Sequence, residues 1–443
     1  MRIAAFTVVT PVMLLAALSV SSTAIAAQAG QHADPVAPLA FALVLILVAA
    51  KLCGELAVRL GQPAVLGELL AGVILGNLSL VGYAGLERLA EDPSLDMLAR
   101  LGVLVLLFEV GLESTVGQML KVGGTAFLVA SLGVVAPFGL GWAASAWLLP
   151  SQGAYVHAFI GATLCATSVG ITARVFQDLG RLQTQEARII LGAAVIDDVM
   201  GLVVLAVVSG IIGAADAGGA FSYASAVIIV VKATLFLVGA LGLGIYLSRN
   251  IFRLAFKLHA RGVLLALGLA WCFLLSWLSN LIGLAPIVGA FAAGLILESA
   301  HSRRFVERGE QPLEELIKPI SGFLSPVFFV LMGMRTDLRA FAAPGVLGLA
   351  TVLTIAAVVG KQACALGVWR RGIDRLSVGI GMIPRGEVGL IFANIGLGLT
   401  IAGQPVISRN VFSAVVVMVI LTTLVTPIAL KISLGRKQQT SKS

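Results

Sequence analysis

The sequence predicts an all-α polytopic membrane protein, and three observations carry that prediction. The chain has 443 residues, 59% hydrophobic and 12% charged, with 50 glycines and a mean hydropathy of +1.03. Such a composition belongs to helices immersed in lipid, not to a soluble core. About thirteen apolar runs each approach the ~20 residues that span a bilayer as a helix. Basic residues collect in alternate loops between those runs, as the positive-inside rule requires.

Taken in order, residues 1–27 combine Arg2, an apolar stretch from Ile3 to about Val20, and Ala24-Ile25-Ala26 ahead of Ala27, which predicts a cleavable signal peptide. An uncleaved first helix is the alternative and leaves the orientation unchanged. The transmembrane domain is then residues 28–434, with spans near 36–58, 63–80, 96–116, 122–149, 154–177, 186–212, 222–248, 262–281, 284–299, 318–335, 344–369, 375–401 and 408–434, followed by a tail at 435–443. The inner loops hold Lys51 and Arg59, Arg174 to Arg188, Arg249 to Arg261, Arg303 to Arg308, Arg370 to Arg375, and the tail from Lys431 to Lys442. An odd number of spans follows, with the mature amino end outside and the carboxy end cytoplasmic, in a cell inner or plasma membrane. Arg335 and Arg339 are the exceptions. The net charge of +8 sits in those loops, so no nucleic-acid partner is implied. Cys53, Cys165, Cys272 and Cys364 lack metal-type spacing and read as small packing residues.

An internal repeat is visible. Gly67-Glu-Leu-Leu-Ala71-Gly72-Val-Ile-Leu75 recurs as Gly289-Ala-Phe-Ala-Ala293-Gly294-Leu-Ile-Leu297, 222 residues later, and Gly111-Leu112 recurs as Gly333-Met334 at the same offset. An odd number of spans separates the copies, which places them in opposite senses across the membrane: inverted repeats of about 36–212 and 262–434, with 222–248 as the linking helix.

Asp197 and Asp198 stand side by side in the apolar run from Ile189 to Val208. A carboxylate at a helix centre costs roughly 2.5–3.5 kcal/mol, so a pair points to ion or proton handling. A structural pair silenced by protonation or a buried partner is the bland alternative. Two spans read as broken: the fifth has Thr163, Thr167, Ser168 and Thr172 around Gly170, and the twelfth has Pro384-Arg385-Gly386-Glu387-Val388-Gly389. Val169-Gly170 and Val388-Gly389 align as repeat partners. Lys361, deep in the eleventh span, is read as the partner of the buried acids in preference to a snorkelling lysine. Arg385 and Glu387 are read as supporting charges that compensate half-helix ends, ahead of direct ion binding. Glu68 and Glu109 are weaker candidates.

At these residues the chain resembles the monovalent cation:proton antiporter superfamily, specifically the bacterial NapA-like sodium/proton antiporters of its second family. Val65 to Gly76, Ala166 to Arg174, Ala194 to Val199, Pro326-Val-Phe-Phe329 with Gly333-Met334, and Pro384 to Val388 carry the resemblance. It implies the NhaA-like antiporter fold with two crossed discontinuous helices, a dimerisation domain, a mobile core domain that moves the ion site like an elevator, and a homodimer in the bilayer. It also implies Asp198 as the main ligand of the monovalent cation and the proton, Asp197 paired with Lys361, and Thr167 and Ser168 as candidate lining of the site.

The expectation is therefore a secondary active antiporter, not an enzyme, exchanging a monovalent cation, sodium foremost, for protons and needing no cofactor. A carboxylate in a low-dielectric cavity accepts either a proton or a hard cation. The resemblance links the Asp-Asp pair with Lys361 to electrogenic exchange, since relatives with a single acid at this position resemble electroneutral exchangers. A potassium/proton antiporter or Kef-like potassium efflux protein is the runner-up; the Kef type resembles chains with a nucleotide-binding domain, whereas this chain ends about ten residues after its last span. An intramembrane aspartyl protease is the remote enzyme alternative, disfavoured because neighbouring helical residues point ~100° apart.

Overall fold

The computed structural model describes residues 36–440 apart from 84–85, 114–115, 217–223, 259, 261, 283, 298–310, 337, 343–344, 371 and 402–403, so the predicted signal segment lies outside the described residues. Helices occupy the predicted apolar runs: α1 (Val36–Arg59), α2 (Ala64–Gly76), α3 (Pro93–Leu112), α4 (Val116–Leu148), α5 (Ala154–Cys165), α6 (Val169–Asp178), α7 (Gln185–Asp216), α8 (Ala224–Ala255), α9 (Val263–Leu281), α10 (Pro286–Ile296), α11 (Leu313–Met334), α12 (Val346–Gln362), α13 (Arg375–Gly381), α14 (Gly386–Gly398) and α15 (Arg409–Thr440). A two-residue antiparallel pairing of Thr400–Ile401 with Gln404–Pro405 closes the loop after α14. Among the described residues, eight stretches are long and apolar enough to cross a membrane, and Ala64–Gly76, Pro286–Ile296 and Val388–Gly398 are apolar but shorter.

The chain divides into two compact units, one of residues 1–103 and 320–338 and the other of residues 104–319 and 339–443. In the first, α2 lies against α1 and α11 with backbones in contact. A Cβ on Gly67 would fall 2.1 Å from the Cys53 carbonyl oxygen, one on Gly72 2.0 Å from that of Val330, and one on Gly333 2.2 Å from that of Leu69. Only glycine permits such approach. Arg335 Nη2 sits 2.6 Å from Asp96 Oδ1 and its Nε donates to the Ala90 carbonyl at 3.1 Å. Arg335, an expected exception to the positive-inside pattern, thus meets a carboxylate within its own unit.

The second unit repeats those glycine contacts. A Cβ on Gly289 would meet the Leu275 carbonyl at 2.2 Å, one on Gly294 that of Phe108 at 2.3 Å, and one on Gly111 that of Phe291 at 2.5 Å. Both members of every contact are displaced by the same 222 residues from their counterparts in the first unit. Chance glycine-rich similarity does not reproduce partners as well as positions. The core of this unit packs Phe159 and Ile160 of α5 with Leu353 of α12 and Val415 and Met418 of α15. α4 carries Pro137 in its interior. Proline supplies no N–H to the carbonyl four residues before it, and neighbouring groups meet the loosened turn: Cys165 Sγ donates to the Val134 carbonyl at 3.4 Å, and Gly360 of α12 rests on Pro137.

Both expected helix breaks are present. α5 ends at Cys165 and α6 begins at Val169; α13 ends at Gly381 and α14 begins at Gly386. Several boundaries differ from the sequence reading by a turn or more: Val116–Leu148 begins before the expected 122, Ala224–Ala255 runs past the expected 248, and Leu313–Met334 begins before 318. The helical part of the eleventh run ends at Gln362 and continues as a 3-10 turn over Ala363–Gly367, so Lys361 stands in a last helical turn instead of mid-span. The final helix also runs past 435 to Thr440, because its polar residues favour helix once the register is set.

Candidate ion site

The two breaks cross. The backbone N–H of Ser168 donates to the Pro384 carbonyl at 2.8 Å, the Thr172 hydroxyl to the Gly381 carbonyl at 2.7 Å, and the Thr167 hydroxyl to the Met382 carbonyl at 3.4 Å. Each extended segment therefore supplies partners for the backbone groups that the other leaves without helical bonds. Gly386 opens α14 with φ of +44°, and a Cβ there would fall 2.6 Å from Ser168 Oγ. Left-handed backbone and close approach both demand glycine at this point.

Arg385, fully buried, directs its guanidinium at three carbonyls: Ile383 at 3.1 Å, Ala357 at 3.3 Å and Met382 at 3.4 Å. Two of these belong to the turn that ends α13, where the helix dipole places negative charge. Glu387 lies in the first turn of α14, and its side chain lies outside the described residues.

α7 passes beside the crossing with its paired acids pointing in different directions. Asp197 accepts from Lys361 Nζ at 3.1 Å, with 1% and 0% of the two side chains exposed. Thr167 and Arg385 both lie near enough to act on the Asp197 carboxylate. Asp198, one residue and ~100° further round the helix, instead lines a cavity of about 10 Å³ with Leu107, Val169, Val195 and Phe291 among its walls. That volume is about the least that holds one water. The surface that lines this cavity is apolar, and Asp198 borders it.

Residues 42–435 match the family described as sodium/hydrogen exchanger, transmembrane. The chain belongs to that family. It is 36% identical over 431 residues to the high-affinity Na(+)/H(+) antiporter NhaS3 of Synechocystis sp., covering 88% of this chain and 90% of the relative. It is also 32% identical to the Na(+)/H(+)-K(+) antiporter GerN of Bacillus cereus, over 91% of this chain and 98% of that one. A structure of the sodium proton antiporter MjNhaP1 from Methanocaldococcus jannaschii superposes with a TM-score of 0.65 at 17% identity, covering 92% of this chain and 98% of its own. At that identity the likeness concerns the fold.

Within this exchanger-family chain the structure brings together Asp197, Lys361, Thr167 and Arg385, and sets Asp198 on a separate face of the same helix. Sequence reasoning overlooked the apolar walls contributed by α3 and α10, and the two cysteines that flank the ion pair. Cys165 and Cys364 are both close enough for Lys361 and Asp197 to act on their thiols. Spacing alone marked them as packing residues. The one available signal was the run Gly133, Pro137, Gly141 at four-residue intervals, which marks a helix face built for close approach.

Proposed function

We propose that the chain is a secondary antiporter that exchanges sodium for protons, with Asp198 as the group that takes either ion. The observation that carries this is the separate placement of the two adjacent acids: Asp197 is held by Lys361, while Asp198, the next residue on the helix, borders a small cavity beside the crossing. A proton or a small cation each neutralises a carboxylate in apolar surroundings, and competition between them couples the two fluxes. Thr167 and Ser168, at the crossing, supply oxygens beside the acids. Family membership supports the cation/proton chemistry.

The shared offset of the glycine contacts supports inverted repeats, and inverted repeats support alternating access about a mid-membrane site. The helix in each predicted run supports thirteen spans with the amino end outside and the carboxy end cytoplasmic in a cell inner or plasma membrane. The core moves as an elevator within a homodimer. Exchange is electrogenic, since Lys361 and two acids offer more titrating groups than one cation replaces, and the membrane potential then contributes ~2.3 kcal/mol per charge per 100 mV. Potassium is the second cation to consider, because GerN, at 32% identity, is named for both ions.

The test is collapse of an imposed proton gradient in proteoliposomes on addition of sodium, lithium or potassium. Sodium is expected to give the largest response. An equal, negligible response to all three overturns the reading.

A further inference from the structure

Gly133 of α4 faces the Lys361–Asp197 pair, and its lack of a side chain is part of that pair's geometry. A Cβ at this position would fall 2.8 Å from Cys364 Sγ, 3.3 Å from Lys361 Nζ and 3.7 Å from Asp197 Oδ1. The three atoms come from three elements, and all three residues are buried. α4 cannot simply withdraw. One turn before Gly133, Gly367 is packed on Val129, and one turn after it Gly360 is packed on Pro137; a Cβ on either glycine would lie 2.8 Å from α4 backbone. Close contact between α4 and the 360–367 segment thus covers three successive turns, with the ammonium in the middle one. The most compliant atom there is Lys361 Nζ, on its four-carbon stem.

We infer that Gly133 is a positioning residue for cation/proton exchange: the space left by its missing side chain is where the Lys361 ammonium meets Asp197. A methyl group there displaces the ammonium and weakens the pair while removing neither charge. The inference rests on the proposed role of Lys361. The groups that face the pair are Thr167 from the first break, Arg385 from the second, Cys165 at the end of α5 and Cys364 beyond α12; the substitution replaces none of them, and of the four only Cys364 is pressed by the new methyl group.

The test is sodium-dependent exchange by the full chain in proteoliposomes across a pH series, with thermal stability recorded in parallel. Gly133→Ala is expected to move the midpoint of the pH profile by about one pH unit, the low end of what an opposite charge within reach commands. Adding Cys364→Ala, which removes the shortest contact, is expected to restore part of the shift. Gly141→Ala is the packing control, since its Cβ would meet Gly161 Cα at 3.0 Å and Leu164 Cδ2 at 3.1 Å on the same helix. An unmoved profile in Gly133→Ala, or an equal shift in Gly141→Ala, overturns the inference, as does failure of both Gly133→Ala and its Cys364→Ala combination to fold. Lys361→Gln separates the two claims: if it leaves the profile unmoved, the reading of Lys361 itself fails, whereas a shift there and none in Gly133→Ala sinks the positioning role alone.

Discussion

Lys361 Nζ lies 3.1 Å from Asp197 Oδ1, and the two side chains are withdrawn almost completely from solvent. The pair joins α12 to α7, across 164 residues of sequence. A buried ion pair contributes little net stability when intact, but loss of one partner strands the other charge at a cost of about 3–5 kcal/mol.

Asp198→Asn is expected to abolish sodium-dependent proton movement while leaving the fold intact. The substitution keeps the shape of the side chain and removes its ability to take either ion. Exchange measured in proteoliposomes and a thermal melt of the same preparation check both halves. Exchange close to the parent level would move the ion site elsewhere.

Lys361→Gln is expected to destabilise the protein by about 3–5 kcal/mol, because Asp197 is left buried and uncompensated. It is also expected to diminish the response of exchange to an imposed membrane potential, with weak electroneutral exchange through Asp198 retained. The double variant Lys361→Gln/Asp197→Asn should recover much of the stability. Additive losses in that cycle would show that the two residues do not act as a pair.

Arg385→Met is expected to destabilise by several kcal/mol, since the carbonyls of Met382, Ile383 and Ala357 lose their shared donor and each buried unsatisfied group costs about 1–3 kcal/mol. Arg385→Lys should recover only part, because a point ammonium cannot span three carbonyls as a planar guanidinium does. Thermal unfolding in detergent reads the order of the three proteins. Equal stability of Arg385→Met and the parent would refute the capping role.

Gly386→Ala is expected to reduce folded yield sharply, through a φ of +44° and a Cβ 2.6 Å from Ser168 Oγ. Gly398→Ala, at the other end of the same helix with nothing within 4 Å of its Cβ, should be tolerated. Yield of monodisperse protein compares them. Equal yields would mean that the crossing accepts a side chain.

Much of this protein was legible in the sequence because lipid imposes strong local rules. Backbone groups in a bilayer must be satisfied within helices, so runs of apolar residues predict where helices lie, and Pro384-Arg385-Gly386 and Thr167-Ser168 announce where they break. The repeat of Gly67, Gly72 and Gly111 at Gly289, Gly294 and Gly333 was readable for a similar reason: close helix approach tolerates only the smallest residue. A charge in an apolar run is costly wherever it lies, so Asp197, Asp198 and Lys361 stood out before any contact was known. Which acid does what was implied by the resemblance to known antiporters and not by the residues themselves. Two adjacent aspartates are chemically identical on paper. Only the packing of both α12 and α7 on α4 brings Lys361 to Asp197, and only the approach of α3, α6 and α10 forms the small cavity that Asp198 borders. The same holds for Gly133, one glycine among 50 until the tertiary structure sets a lysine ammonium against it. Local sequence dictates helices, breaks and costly charges; assigning those charges their roles takes distances between residues remote in the chain, and packing alone determines those.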